Sequence, residues 1–360
     1  MKFDFVIGNP PYQLSTSVNN RQEPIYPYFY DEAKKISNKY LLISPARFLF
    51  NAGLTSKDWN KMMLADEHLT VEYFNQNSEE IFANTDIKGG VAIIYRDSKR
   101  VFGAIDEFIP DETLRTLKMN VRKHSPENLA SIMYGGRSDL KFNDEFLKKY
   151  PTVREDRLRA IQKKHSDVKS LSPNEEYELK SPAFETLPYA FYEDKPDTGY
   201  EYYRILGLLG GKRTYRWIEK NYMTPRYPDD NNVDSYKVFI PKASGSGMFG
   251  EVLSTPVLSV PGESSTPTFI SIGKYKTEDE AINTIKYIKT KFARALLGIL
   301  KITQDIVPSK WKYVPIQDFT PSSDIDWSVS IPEIDQQLYK KYGLSDEEIT
   351  FIETNVKEMK

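Results

Sequence analysis

The sequence predicts an α/β fold over its first hundred or so residues, followed by a mixed α+β region. Three observations carry that expectation. Apolar, strand-like runs alternate with helical patterns from Phe3 to Arg96. At about Pro188 the composition changes to aromatic plus basic, and short strand-like segments follow at 236–240, 252–260 and 268–272, each bounded by turn residues. The chain then returns to helical patterns at 278–297, 332–342 and 345–359. At 360 residues it is long enough for two domains, each with its own core.

The first element is an apolar run, residues 3–8, which reads as a buried strand. It ends on Asn9-Pro10-Pro11-Tyr12. Two consecutive prolines fix φ and remove two backbone donors, so the Pro10 carbonyl projects with little freedom. An amide side chain precedes that carbonyl and an aromatic ring follows the prolines. Together they can accept hydrogen bonds from an exocyclic amine and cover the face of a planar base. A polar loop at 13–23 leads to a helix at 26–38 and to the apolar strand 40–44, which Pro45 ends. Residues 46–53 turn into a helix at 57–65, and 71–75 and 91–96 read as further strands.

Beyond residue 101 the pattern weakens into charged, mostly helical segments. Residues 141–169 alternate both signs, which suits either a solvated helix face or a connector lying over a polyanion. From Tyr200 to Tyr227, tyrosines interleave with arginine and lysine. Lys212, Arg213, Arg216 and Arg226 suit phosphate contact and base-edge reading, although an aromatic core with a basic rim gives the same pattern. The last segment carries Asp346 and Glu347 where a helix dipole favours acids.

Composition narrows the chemistry. Net charge is −2, so any DNA affinity must come from a local basic face. With no cysteine there is no disulfide, thiolate zinc site or cysteine nucleophile. His68, His124 and His165 are far apart and without ligand spacing, so no metal is expected. No apolar signal run or membrane-length stretch occurs, which fits a cytoplasmic setting.

The Asn9–Tyr12 turn, at the end of an apolar strand, resembles the amino-group DNA methyltransferases, specifically the adenine-N6 (gamma-type) enzymes of restriction–modification systems. Residues 41–53 look like the segment that follows the catalytic turn in that family. Residues 81–92 look like its last catalytic motif, where an aromatic residue before the final strand helps to hold the target base. Phe82 occupies the matching position, although as a bare sequence feature it would more often be core. The resemblance implies a partial Rossmann-like methyltransferase sheet followed by a mixed α+β target-recognition domain. It divides the chain into residues 1–120 (downstream half of the catalytic domain), 121–187 (helical connector), 188–330 (target recognition) and 331–360 (terminal helices). It also implies Asn9, Pro10, Pro11 and Tyr12 as the catalytic residues and Tyr12 and Phe82 as the rings that stack on an extruded adenine in double-stranded DNA.

In such enzymes the S-adenosylmethionine site usually lies upstream of this turn, and only eight residues precede Asn9. The expectation is therefore a downstream half, as a fragment, a truncated product or one subunit of a split enzyme. S-adenosylmethionine would then be bound mainly by residues not in this chain, with a partner chain carrying the cofactor half. Gly245-Ser246-Gly247-Met248-Phe249-Gly250 has the form of a dinucleotide fingerprint, but Pro241, Pro256 and Pro261 leave no room for its helix, so it reads as a loop. The alternative function is a non-catalytic DNA-specificity module, or part of a fused restriction endonuclease–methylase. For the latter, Asp167 with Glu178-Leu179-Lys180 has the spacing of a magnesium nuclease, in surroundings that look like loop. No phosphate-binding P-loop or Gly-x-Ser-x-Gly elbow is present.

Overall fold

A computed structural model describes residues 3–14, 23–105, 107–163 and 165–359. Two units are distinguished: residues 1–116 with 246–249 and 298–304, and residues 117–245, 250–297 and 305–360.

The first unit is organised by a mixed sheet. Its strand β1 (Val6–Gly8) is followed by a short antiparallel ladder of β2 (Gln13–Leu14) with β3 (Glu23–Pro24), then helix α1 (Tyr26–Ile36) and strand β4 (Lys39–Pro45). Helix α2 (Lys57–Ala65) and strands β5 (Leu69–Asn75) and β6 (Val91–Asp97) complete it. The strand order is β1-β4-β6-β5, with β1 parallel to β4 and β6 antiparallel to both β4 and β5.

The local pattern explains the packing. Helix α1 has a proline in its first turn and buries Tyr26, Tyr30 and Ala33, one stripe at helical spacing. In β4, Tyr40, Leu42 and Ser44 alternate inward. The Tyr30 hydroxyl meets Ser44 Oγ at 2.8 Å, so the one polar tip in this aromatic layer is satisfied. The Phe48 ring stands among Tyr26, Tyr30 and Trp59, with centroids 5.2–6.3 Å away.

One expectation is corrected here. The opening apolar run is not a buried strand. It forms the sheet edge, Ile7 is 73% exposed and Phe5 40%, and only Val6 packs onto the core. An apolar run reports that a strand has apolar neighbours to meet, not that they lie within the same segment of chain. On this face Leu41, Ile43, Ile93 and Tyr95 are also only half-buried.

Helix α3 (Glu112–His124) leads into the second unit, where β7 (Met133–Tyr134), β8 (Leu140–Phe142) and the helices α4 (Asp144–Lys149), α5 (Val153–Gln162) and α6 (Ala183–Thr186) follow. Then come β9 (Tyr202–Leu209), β10 (Lys212–Glu219), β11 (Met223–Pro225), β12 (Tyr236–Pro241), β13 (Val257–Ser259), β14 (Glu263–Ser265) and β15 (Phe269–Tyr275). They form sheets of order β10-β9-β14 and β13-β12-β15-β7, with β8 paired to β11. The segment expected as a strand at 252–260 is extended in a ladder only over Val257–Ser259.

Helices α7 (Glu278–Lys289) and α8 (Lys291–Gly298) replace the single helix expected at 278–297. Thr290 breaks it: its ψ is 150°, its Oγ1 donates to the Tyr287 carbonyl at 2.7 Å and accepts from Ala293 N–H at 3.1 Å. Asp335, from helix α9 (Ile331–Lys341), accepts the N–H groups of Lys291 and Phe292 and so caps the new start. Helix α10 (Asp346–Asn355) opens with a capping box of Ser345 and Glu348.

A buried polar cluster ties β12 and β15 to the loop before β8. Lys237 is fully buried and donates to the carbonyls of Val233 and Ser235, and Ser271 Oγ donates to Asp139 Oδ2 at 3.5 Å. Burial pushes the Asp139 carboxyl up from 3.8 to about 6, against the Lys237 and Arg226 charges and the Ser271 hydrogen bond. Because this folded-state value is raised, its stabilising contribution is complete below pH 4 and disappears as pH rises through about 6. Asp139→Asn stays neutral, so its melting temperature should fall less than that of the parent between about pH 4 and 6. Parallel pH profiles for parent and variant would assign the effect to other carboxylates.

Candidate active site

The site is built from the carboxyl ends of two parallel strands, the place where open α/β sheets hold their ligands. Val6, Ile7 and Gly8 register against Tyr40, Leu41 and Leu42, so Asn9–Tyr12 and Pro45–Arg47 leave the sheet on the same side. In the turn, Asn9 and Pro11 are exposed, Pro10 is buried and Tyr12 is half-buried. The Tyr12 carbonyl accepts from Ile25 N–H at 3.1 Å, and the β2–β3 ladder continues from there, so the turn is anchored at both ends. Among the described residues neither the Asn9 amide nor the Pro10 carbonyl is taken up by a hydrogen bond.

Beside the turn lies a cavity of about 330 Å³, whose walls include Tyr12, Tyr26, Arg47, Thr55, Asp86 and Ile87. Arg47 is the second residue past the end of β4. Its Nε donates to the Lys88 carbonyl, and Ala46 N–H donates to the Gly90 carbonyl at 2.9 Å, which joins the end of β4 to the loop before β6. Gly90 has φ +76°, and a Cβ there would stand 2.1 Å from the Asn75 carbonyl oxygen, so glycine alone fits. Burial pushes the Tyr26 phenol up to about 12, against a lowering by the Thr55 hydroxyl and the Arg47 charge. Burial also raises Tyr12. Tyr12 Oη and Thr55 Oγ1 are both sealed from solvent without a hydrogen bond of normal geometry.

Phe82 is half-buried in a tight turn. Its N–H donates to the Ser78 carbonyl at 2.8 Å, and its carbonyl accepts from Thr85 Oγ1 at 2.6 Å. Neither Phe82 nor Asn9 is among the cavity walls, whereas Asp86 and Ile87 of the same segment as Phe82 are. Sequence reasoning missed Arg47, Thr55 and Asp86. Arg47 carried a signal, because it follows a strand-ending proline at the strand's carboxyl end; Thr55 and Asp86 carried none.

Residues 1–82 match the Eco57I restriction-modification methylase family. The match takes in the Asn9–Tyr12 turn, Arg47 and Thr55. A protein described as an uncharacterized adenine-specific methylase, from Mycoplasma pneumoniae, is 35% identical over 98 residues, which are 25% of this chain and 22% of that protein. The chain thus aligns with about a fifth of the length of that relative. One similarity is thus to restriction-modification methylases and the other to a protein described as an adenine-specific methylase.

The second unit holds the cationic residues singled out from sequence. Lys212 is exposed next to the Gly210-Gly211 turn that joins β9 to β10. Arg213 is exposed as well, with Nη1 donating to the Thr255 carbonyl at 2.7 Å. Arg216 pairs with Glu193 at 2.6 Å. Arg226 does not face solvent: its side chain is 8% exposed, it grips Glu178 through both Nη atoms, and its Nε donates to the Ser138 carbonyl. Both ends of the Glu-x-Lys candidate are engaged in ion pairs, Glu178 with Arg226 and Lys180 with Glu175. Among the described residues no group of three or more His, Asp or Glu is placed to hold a metal ion. No helix begins on Gly245–Gly250. Gly247 sits where a Cβ would meet the Ile302 and Thr303 backbone at 2.6 Å. Among the described residues no helix is long and apolar enough to cross a membrane.

Arg226→Ala should lower stability by about 3 kcal/mol, because it leaves the half-buried Glu178 with only the exposed Arg137, at 3.7 Å, as its ion-pair partner. Lys212→Ala should leave stability within about 0.5 kcal/mol of the parent. Denaturant titration of the two variants checks both; a mild Arg226→Ala would show that the pair is replaceable by water.

Proposed function

We propose that this chain supplies the amine-holding turn and a DNA-reading surface of a site-specific DNA adenine-N6 methyltransferase of a restriction–modification system. The observation that carries the reading is the Asn9–Tyr12 turn at the carboxyl end of a parallel strand, beside a cavity, within the segment that matches the methylase family. The strand order β1-β4-β6-β5, with β6 inserted antiparallel, agrees with the second half of a methyltransferase sheet.

The chemistry follows from what the turn presents. An adenine within a duplex is out of reach, so the base is extruded, at a cost of a few kcal/mol. Stacking on Tyr12 returns about 1–3 kcal/mol. Phe82 is the second ring of the proposal, brought by the segment that already lends Asp86 and Ile87 to the cavity. Asn9 Oδ1 and the Pro10 carbonyl accept the two N6 hydrogens, which directs the nitrogen lone pair away from the ring system. As positive charge develops on N6, these two oxygens are already in place, and that preorganisation lowers the barrier.

S-adenosylmethionine, when bound, supplies the electrophilic methyl group. The described residues do not form a cradle for it: no helix starts on the 245–250 glycines, and neither turn after β1 nor after β4 presents a glycine-rich loop followed by an acidic ligand. Its binding is therefore assigned to a cofactor-binding half outside these 360 residues, in the same polypeptide or a partner. The open edge of β1 supports that assignment. Phe3, Phe5 and Ile7 are 50%, 40% and 73% exposed, and among the described residues β1 pairs with β4 alone. Lys212 and Arg213 are the cations best placed to meet phosphate.

With the cofactor-binding half supplied, methyl transfer to DNA should be measurable, and Asn9→Ala should lower kcat by about 10²–10³-fold with DNA affinity nearly unchanged. Equal loss of affinity and turnover would make Asn9 a structural cap. Ile7→Lys places a charge on the exposed edge. It should abolish association with the cofactor-binding half while leaving the melting temperature of the chain itself almost unaltered; undiminished association would move the interface off β1. Neutralising Lys212 should weaken binding to all DNA sequences alike and reduce the salt slope by about one unit.

A further inference from the structure

Two residues that wall the cavity beside the turn carry hydroxyls buried behind its surface. Tyr12 Oη and Thr55 Oγ1 are both sealed from solvent; Tyr12 Oη has no hydrogen-bond partner among the described residues, and Thr55, only 6% exposed, faces the Tyr26 phenol without a hydrogen bond of normal geometry. Buried hydroxyls are nearly always paired, because leaving one unpaired is costly. Two orphans on the walls of one cavity mark a place where something else completes them. The walls also carry the Gln13 amide, the Tyr26 phenol and the Arg47 guanidinium, which only donates and of which, among the described residues, Nε alone is taken, by the Lys88 carbonyl. The acidic group on the wall, Asp86, is matched by Lys88 at 2.7 Å.

This donor set selects its ligand. Two hydroxyls and a guanidinium call for a group with several acceptor oxygens and a negative charge, which is a phosphate rather than a base edge. Tyr12 adds a geometric reason. Its hydroxyl lies in the ring plane, at the far end from Cβ. A ring lying on the face of a base therefore presents that hydroxyl beside the base, where the sugar–phosphate runs, and not to the base's own edge.

We propose that this cavity is a phosphodiester-anchoring site for the extruded nucleotide, with Tyr12 Oη and Thr55 Oγ1 as donors and Arg47 as the cation. The inference rests on the reading of Tyr12 as a base-covering ring. Neither hydroxyl touches solvent, so the entering oxyanion meets them through the small side-chain rotations that commonly accompany binding. The orphaned hydroxyls are then the cost of a site held ready for its ligand.

The probe is the trinucleotide TpdApT, compared with its methylphosphonate analogue, which keeps the bases and removes the charge; inorganic phosphate serves as the free-anion arm. The parent should bind the phosphodiester roughly tenfold tighter than the analogue. A Tyr12→Phe, Thr55→Val double variant should lose that preference, and Thr55→Ser should retain it. A stabilisation of the parent by inorganic phosphate equal to that by the trinucleotide would make this a free-phosphate site and overturn the nucleotide assignment. In phosphate-free buffer the double variant should melt at the parent's temperature or above it, since it removes two unpaired buried hydroxyls. A preference kept in the double variant, equal binding of both trinucleotides by the parent, or a fall of several degrees in the variant's melting temperature would each overturn the proposal. Failure to methylate DNA with the cofactor half supplied, while the phosphodiester preference persists, supports the site and removes the methylase reading alone.

Discussion

The parallel pairing of β1 with β4 is the contact on which the site depends. Three residue pairs, Val6 with Tyr40, Ile7 with Leu41 and Gly8 with Leu42, bring two strand ends to one side of the sheet. Without that register the Asn9–Tyr12 turn and the Pro45–Arg47 turn would have no common wall, and Tyr12, Arg47 and Thr55 would not share a cavity. β4 itself is held by the aromatic layer beneath it, where Tyr40 and Leu42 meet Tyr26, Tyr30 and Phe48. Among the described residues β1 has no such layer on its other face, where Ile7 is exposed. The strand that carries the proposed chemistry is thus an edge strand with an open face.

The elements that sequence foretold well are those whose own residues decide them. Helix α1 follows from an aromatic stripe at helical spacing, and β4 from alternation ended by a proline. Helix α10 follows from a serine with a glutamate three residues on. The failures share a different cause: each was decided by residues far away in the chain. The break at Thr290 depends on Asp335 reaching across to cap α8. The exposure of Ile7 depends on how many strands flank β1. The β9–β10 hairpin is an exception, because its Gly210-Gly211 pair, with φ of 56° and 77°, is a local signal for a two-residue turn that was passed over.

The same distinction governs the charges. Interleaved tyrosines and arginines in 200–227 looked like a surface for phosphate, and residue type could not say more. In the fold these arginines have different fates. Arg213 stays outside, Arg216 is drawn to Glu193, and Arg226 closes on Glu178 as part of the interior. Glu178 in turn was read as a possible metal ligand for the same reason, that an acid's partner lies outside the local sequence. An ion pair of this sort gives both residues a structural role that neither local sequence announces.

What the first unit leaves unsatisfied is more informative than what it satisfies. A sheet edge with exposed apolar side chains, an amide and a proline carbonyl without partners among the described residues, and two buried hydroxyls without hydrogen bonds of normal geometry all lie within its first 55 residues. The apolar edge and the buried hydroxyls are locally unfavourable, by leaving apolar area in water or by burying polar groups unpaired, whereas the exposed Asn9 amide is open to water. Proteins keep such departures from local consistency mainly where another molecule resolves them. The three kinds of deficit also differ in what would resolve them. The edge calls for backbone hydrogen bonds and apolar cover, which a polypeptide offers. The amide and carbonyl call for an amine with two hydrogens. The hydroxyls and Arg47 call for an oxyanion. A methylase working on duplex DNA with a separate cofactor-binding half meets all three demands, and a DNA-specificity module without catalysis leaves the second unexplained.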